Sequence, residues 1–192
     1  ITSFPTGIID GRERVGNSSN IEVTVKNTIK AVNNTESMYD VTTGVSWVSE
    51  INGDEASVDL AVYAKRAGSY KITALIVEDN IIGYQNGGGS NYVHNGVPRV
   101  AFTSILGEEF TTTTDNEVVK FTYSAEIPYS CNADNMRIVV YIHEYSWGSG
   151  YVDDYYINNS ASGLLGESVR LAVALDGEGG TEDIEQGEDI EM

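Results

Sequence analysis

The chain is poor in residues that cross-link or rigidify a fold. Its 192 residues include one cysteine, Cys131, and three prolines beside 20 glycines. A single thiol can form neither an internal disulfide nor a two-cysteine redox centre, so Cys131 is expected to be a small structural residue. No apolar run approaches the roughly 18 residues of a transmembrane helix, so no spanning segment is predicted. The composition is that of a globular domain.

Positive charge is also scarce. The chain has 11 Lys and Arg against 29 Asp and Glu, a net charge of −18. A surface this acidic repels phosphate, which argues against nucleic-acid binding and against anionic membrane surfaces. The last residues, 176–192, carry eight acids and no base. Residues 177–192 are therefore predicted to be a flexible acidic tail, with calcium binding as the alternative, although the order of acids does not match an EF-hand loop.

One helix is predicted, near the start of the chain. Ser19 and Glu22 form a capping box, and apolar residues follow at helical spacing to about residue 33. Before it, residues 7–10 form a short apolar segment and residues 11–14 a charged turn. The chain begins at Ile1 rather than Met, which is typical of a mature or excised piece.

After residue 38 the hydrophobic period changes to two, which predicts strands. Clear alternation covers residues 41–51, 58–64, 70–78, 119–125, 137–143 and 169–175, with weaker signals near 97–103 and 110–114. About seven short strands without intervening helices predict a mainly β fold, an antiparallel β-sandwich of jelly-roll or immunoglobulin-like type with one N-terminal helix. Residues 85–96, with glycine at 87, 88 and 89, are predicted to be a long flexible loop.

Two segments resemble a known family. Residues 70–85 and 92–99 resemble the C-terminal half of the twenty-eight-kilodalton outer membrane protein (Omp) related family of Bacteroidetes. The matching residues are Glu78, Asp79, Gln85, Tyr92, His94, Asn95, Val97 and Arg99. Gly96 and Pro98 depart from the family pattern, which leaves the local backbone open. The resemblance implies an exported, outer-membrane associated or periplasmic lipoprotein whose activity is not established.

The start of the chain resembles another part of the same family. Residues 4–12 and the predicted helix look like the end of a thioredoxin-like domain whose active-site half is missing here, so no redox activity is implied. The predicted domains are therefore a strand-helix segment at 1–36, a sandwich at 37–176 and the acidic tail.

The family-pattern residues predict a structural cluster. Glu78 paired with Arg99, and steadied by His94, would pin the long loop to a strand end. The alternative is a ligand or metal site on Glu78, His94, Asn95 and Arg99. A metal site needs several converging ligands, and one histidine is present in this set, so no metal or cofactor is predicted.

Aromatic residues supply the candidate binding site. Seven of the twelve tyrosines lie between residues 123 and 156, around a glycine-rich loop at 145–151. Flat rings beside carboxylates suit sugar or peptide contacts. The candidate residues are Tyr145, Trp147, Tyr151, Asp153, Asp154 and Tyr155. The alternative is that the tyrosines cover the sheet and Trp147 plugs the open end of the sandwich.

No catalytic constellation stands out. His143 and Glu144 are neighbours on a strand and point to opposite faces, and no nucleophile-elbow motif occurs. The sequence therefore predicts a non-enzymatic cell-envelope binding or adhesion module, whose partner is a carbohydrate or a protein at the cell surface. The alternatives are a structural spacer or assembly domain of an exported lipoprotein and, more remotely, a hydrolase. An exposed Trp147 would favour binding and a buried one the spacer.

Overall fold

A computed structural model describes residues 6–9, 13–16, 41–145 and 155–169 of the chain. The predicted helix over residues 19–33 and the acidic tail both lie outside these residues. In the described ranges, no helix has the length and apolarity needed to cross a membrane.

A small antiparallel hairpin lies near the start of the chain. It joins β1 (Thr6–Ile9) to β2 (Glu13–Gly16), with Ile8 opposite Arg14. The charged turn predicted over residues 11–14 is too long, since Glu13 and Arg14 belong to β2.

The remaining described strands run from residue 43 to residue 169. They are β3 (Thr43–Asn52), β4 (Glu55–Ala64), β5 (Gly68–Glu78), β6 (Ile81–Gln85), β7 (Gly89–His94), β8 (Val97–Ala101), β9 (Glu108–Thr112), β10 (Glu117–Glu126), β11 (Met136–Tyr145), β12 (Tyr155–Leu164) and β13 (Ser168–Val169). A short 3-10 turn, Ala133–Asn135, precedes β11.

Two antiparallel sheets make the sandwich. One has four strands in the order β10-β4-β3-β13. The other has the order β12-β11-β5-β8, and β9 also pairs with β5. Two short strands pair with different parts of β5. β9 pairs with Gly68 to Ile72, and β8 pairs with Leu75 to Glu78.

The core lies between these sheets. Alternate residues of each strand point inward, as the period of two predicts. Trp47 and Leu60 face it from one sheet, and Ile72, Ile138 and Ile142 from the other, each nearly or fully buried. Burying each such side chain contributes roughly 1.5–3 kcal/mol. The predicted mainly β antiparallel sandwich is confirmed.

Residues 85–96 are not the flexible loop that the sequence predicts. β6 and β7 form a separate two-stranded hairpin, with Ile82 opposite Val93. The glycines supply the turn, since Gly87 and Gly89 have φ of 83° and 81°, a region that L side chains rarely adopt. Ile and Tyr in the flanking segments are good strand formers, and they pair once the turn is made. We call residues 81–94 the hairpin arm.

Candidate functional site

The outer face of the five-stranded sheet carries a cluster of aromatic and charged side chains at one end. Strand pairing sets Lys71 of β5 between His143 of β11 and Glu109 of β9. Next to them, Tyr145 of β11 is paired with Tyr155 of β12. We call these five residues the outer-face cluster. Because every second side chain of a strand points the same way, all five share the face turned away from the core.

Short contacts hold the cluster together. The Tyr145 and Tyr155 rings meet edge to face, with centroids 5.2 Å apart. The Lys71 Nζ atom lies 4.1 Å from the centroid of the Tyr155 ring. It also lies 3.4 Å from the Glu109 carboxylate. Cation–ring contacts and surface ion pairs each contribute about 1 kcal/mol or less, so they order the side chains more than they stabilise the fold.

Two members of the cluster, Tyr155 and His143, have shifted pKa values that favour their neutral forms. Burial, followed by the Glu109 charge and by Tyr145, raises the pKa of Tyr155, so its hydroxyl stays protonated at neutral pH. Burial and then the Lys71 charge lower the pKa of His143. His143 Nε2 lies 3.2 Å from Thr73 Oγ1. A neutral tyrosine and a neutral histidine can each donate and accept hydrogen bonds.

A glycine lets the β8–β9 connection approach this face. Gly107 has a φ of 84°. A Cβ at this position would lie 3.0 Å from Lys71 Cβ and 3.1 Å from Thr73 Oγ1. A larger residue would thus be strained and would push the connection away from Lys71. The loop therefore forms one wall beside the cluster.

Glu144, the neighbour of His143, faces the other way. Its Oε2 accepts hydrogen bonds from Thr42 Oγ1 at 2.9 Å, Tyr156 Oη at 2.8 Å and Asn158 Nδ2 at 2.7 Å. These contacts tie β11 to β12 and to the start of β3. His143 and Glu144 have separate partners and do not form a proton-transfer pair.

The first pair of family-pattern residues lies at the end of β5. Arg99 Nη1 is 3.4 Å from Glu78 Oε2, and Arg99 Nη2 donates to Ser130 Oγ at 3.0 Å. Glu78 Oε1 accepts the backbone N–H of Asn132 at 2.9 Å. Glu78 and Arg99 thus join β5 and β8 to the segment that precedes β11.

The next family-pattern residues hold the base of the hairpin arm. Asp79 accepts two hydrogen bonds from the Arg137 guanidinium, at 2.7 and 3.2 Å. The same carboxylate accepts the Gly96 N–H at 2.7 Å. Asn95 Oδ1 accepts the Asn80 N–H at 2.9 Å. Together these bonds join the two ends of the arm to each other and to β11.

The remaining family-pattern residues lie on the arm itself. His94 packs edge to face on Tyr92, with centroids 4.9 Å apart, over the open space left by Gly83. Gln85 is exposed at the end of β6. His94 is therefore packed on the arm rather than against Glu78 and Arg99. In the described part of the chain, no group of three His, Cys, Asp or Glu side chains could hold a metal ion.

Comparison with known proteins supplies the family. The family model described as outer membrane protein Omp28 matches residues 1–152. The chain belongs to the Omp28 family. No curated protein matches it. Among solved structures, it is similar to a domain of the outer membrane lipoprotein Omp28 from Porphyromonas gingivalis, with 17% sequence identity and a TM-score of 0.45. That match covers 65% of this chain and 88% of the other.

Membership of the Omp28 family confirms two expectations from the sequence. The resemblance carried by residues 70–85 and 92–99 is correct, since both segments lie within the matched range. The chain is extracytoplasmic and associated with the outer membrane. It is a cell-envelope protein, and the family name assigns it no ligand and no reaction.

The predicted binding residues are described in part. Tyr145 and Tyr155 lie together on the outer face, at the two strand ends that flank residues 146–154. Trp147, Tyr151, Asp153 and Asp154 lie outside the described residues. Lys71, Glu109 and His143 were not predicted as members of this site. The alternation in β5 puts Lys71 on an outer face, but only the register of β5 with β9 and β11 brings these three side chains together.

Proposed function

We propose that this Omp28-family chain is a non-enzymatic binding module of the cell envelope that holds a glycan at the outer-face cluster. The observation that carries the proposal is the pair of tyrosine rings, 5.2 Å apart, with the Lys71 amine 4.1 Å from one of them. Flat apolar rings next to fixed hydrogen-bonding groups are the combination that sugar sites use.

The chemistry of the cluster suits a sugar ring. The C–H face of a pyranose packs on an aromatic ring edge or face, while its hydroxyls need both donors and acceptors. Lys71 donates, Glu109 accepts, and the neutral Tyr155 hydroxyl does both. Glu109 is largely exposed, at 71% of its side chain, and so can turn toward a ligand.

The strands make the site rigid. Each member of the cluster lies on a paired strand, so little backbone order is lost when a ligand binds. Trp147, Tyr151, Asp153 and Asp154 lie in the connection between Tyr145 and Tyr155. We include them in the proposed site as additional stacking and accepting groups.

A glycan array probed with the full chain, alongside a peptide array, tests the proposal. We expect glycan binding that falls at least about tenfold in Tyr155→Ala and Lys71→Met, equivalent to roughly 1.4 kcal/mol. Tyr129→Ala is the matched control because Tyr129 is a fully exposed tyrosine away from the cluster. Thermal unfolding of each variant establishes that it is folded.

The other outcomes decide between the remaining functions. Binding to peptides alone, lost in the same two variants, would replace the glycan with a protein ligand. A folded chain that binds neither array would contradict the binding proposal and favour the structural spacer.

A further inference from the structure

The hairpin arm lies in the longest stretch of the chain without charge. Residues 80–98 contain no Asp, Glu, Lys or Arg, in a protein with a net charge of −18. Charged residues begin again on either side, at Asp79 and Arg99. Asp79 accepts the Gly96 N–H at the base of the arm, and Arg99 pairs with Glu78 of β5. The arm is thus a neutral surface on an acidic molecule.

One face of the arm is apolar and exposed. Ile82 and Val93 are directly opposed across the two strands and share a face, and Tyr84 follows at the register irregularity between Gly83 and Gln85. Their exposures are 69%, 46% and 73%. Neighbouring apolar side chains exposed to this degree are typical of interaction surfaces.

The arm is also preorganised. The Asp79 carboxylate and the Asn95 side chain join its two ends, and Arg137 fixes Asp79 to β11. Among the described residues, β6 and β7 pair only with each other, so each keeps an open edge. Lys and Pro commonly protect exposed strand edges, and residues 81–94 contain neither.

The charge distribution selects the partner. A basic partner would be drawn to the acidic surfaces, and a neutral arm would add nothing to that attraction. Two copies of the same acidic chain repel each other least when they approach through a neutral surface. We propose that two copies associate through their hairpin arms, apolar face to apolar face, about a twofold axis. Such an interface uses the same patch on both copies and brings no like charges together.

Sedimentation velocity on the full chain tests this inference. Because the arm is small, we expect a weak dimer with a dissociation constant in about the micromolar range. Raising the salt concentration should tighten it, since salt screens the repulsion between the two acidic bodies. Ile82→Glu should be monomeric, whereas Ile105→Glu, which changes another exposed isoleucine, should still dimerise.

A charge exchange distinguishes a direct contact from a folding defect. Ile82→Glu and Ile82→Lys should each be monomeric alone and should form a mixed dimer when combined, because the arms then meet with opposite charges. Both variants should leave glycan binding at the outer-face cluster unchanged. A wild-type chain that is monomeric at ~1 mM would overturn the inference. So would a dimer that survives Ile82→Glu, or a pair of variants that does not combine.

Discussion

Glu78 is a nearly buried family-pattern residue at the end of β5, and its structural role is testable. It is 5% exposed, and Arg99 is the cation that faces its Oε2 at 3.4 Å. Among the residues that the structure describes, this Oε2 accepts no hydrogen bond, so the Arg99 charge is what compensates it. Arg99→Ala would leave a buried carboxylate without its cation, and we expect the free energy of unfolding to fall by about 1–3 kcal/mol.

Urea denaturation measures that loss, and ligand binding gives the second readout. We expect binding to the outer-face cluster to be unchanged in Arg99→Ala. A variant as stable as wild type that has lost binding would show that Glu78 and Arg99 serve a ligand rather than the fold.

Asp79 gives a pH-dependent prediction. Hydrogen bonds from Arg137 and then from Gly96 lower the pKa of Asp79 below its ordinary value. A lowered folded-state pKa stabilises the fold above the unfolded pKa of about 3.9, and that contribution is lost as pH falls through the folded pKa. Asp79→Asn should therefore be less stable than wild type at pH 7, and the difference should shrink in acid.

Unfolding free energies measured from pH 7 down to about pH 2 check this sign. Asp134→Asn is the control because Asp134 lies on the exposed 3-10 turn near the same end of the sheet. If the difference in unfolding free energy between Asp79→Asn and wild type stays constant with pH, then the stabilising contribution of Asp79 does not come from its ionised carboxylate.

At the scale of elements, the buried side-chain amide of Asn158 connects β12 to the opposite sheet. Asn158 Oδ1 accepts the N–H groups of Thr42 and Thr43, each at 3.0 Å, and the Thr43 hydroxyl at 2.8 Å. Its Nδ2 donates to Glu144. Asn158 therefore joins β12 of one sheet to the start of β3 in the other. Asn158 begins an Asn-x-Ser sequon, and in the fold this residue is buried and its Nδ2 is bonded to Glu144.

Asn158→Ala would leave two backbone N–H groups unpaired in a buried position. We expect a loss of about 2–4 kcal/mol in the free energy of unfolding. Asn159→Ala is the matched control because the Asn159 side chain makes fewer hydrogen bonds: it donates to the Thr43 carbonyl at 2.7 Å and accepts the exposed Ser160 N–H at 2.8 Å. Chemical denaturation compares the two, and an equal loss in both would contradict the special role of Asn158.

The elements that the sequence predicts are those whose apolar residues alternate. β4, β5, β10 and β11 follow that rule and form where expected. β12 was missed because its residues 158–163 are Asn, Ser, Ala and Gly, which have little strand propensity. Its position comes from pairing with β11 and from the hydrogen bonds of Asn158. The hairpin arm was missed because glycine indicates a flexible loop as readily as a tight turn.

Of the candidate site, the sequence predicts the aromatic residues and not the charged ones. Tyr145 and Tyr155 stand out by composition, because they flank a glycine-rich segment rich in tyrosine. Lys71 and Glu109 lie 38 positions apart, and only the pairing of β5 with β9 sets them side by side. Long-range register of this kind cannot be read from local alternation. The division of the chain at residues 36 and 176 stays a prediction.

On the scale of the whole molecule, the outer-face cluster and the hairpin arm are two surfaces of different chemistry. The outer-face cluster lies on a rigid sheet with one cation among aromatic rings, whereas the hairpin arm is neutral and apolar. We assign the first to a glycan and the second to a second copy. Because the two surfaces lie on different elements, we expect variants of one to leave the function of the other intact.

Amide chemical shifts of the isotope-labelled full chain, recorded while the glycan identified by the array is added, test the central claim most directly. We predict that the largest changes occur at Lys71, Glu109, His143, Tyr145 and Tyr155, and that Tyr129 and the hairpin arm do not respond. The same titration on Tyr155→Ala should show no saturable change. Shifts confined to the arm, or to any surface away from the five-stranded sheet, would contradict the assignment of the outer-face cluster as the binding site.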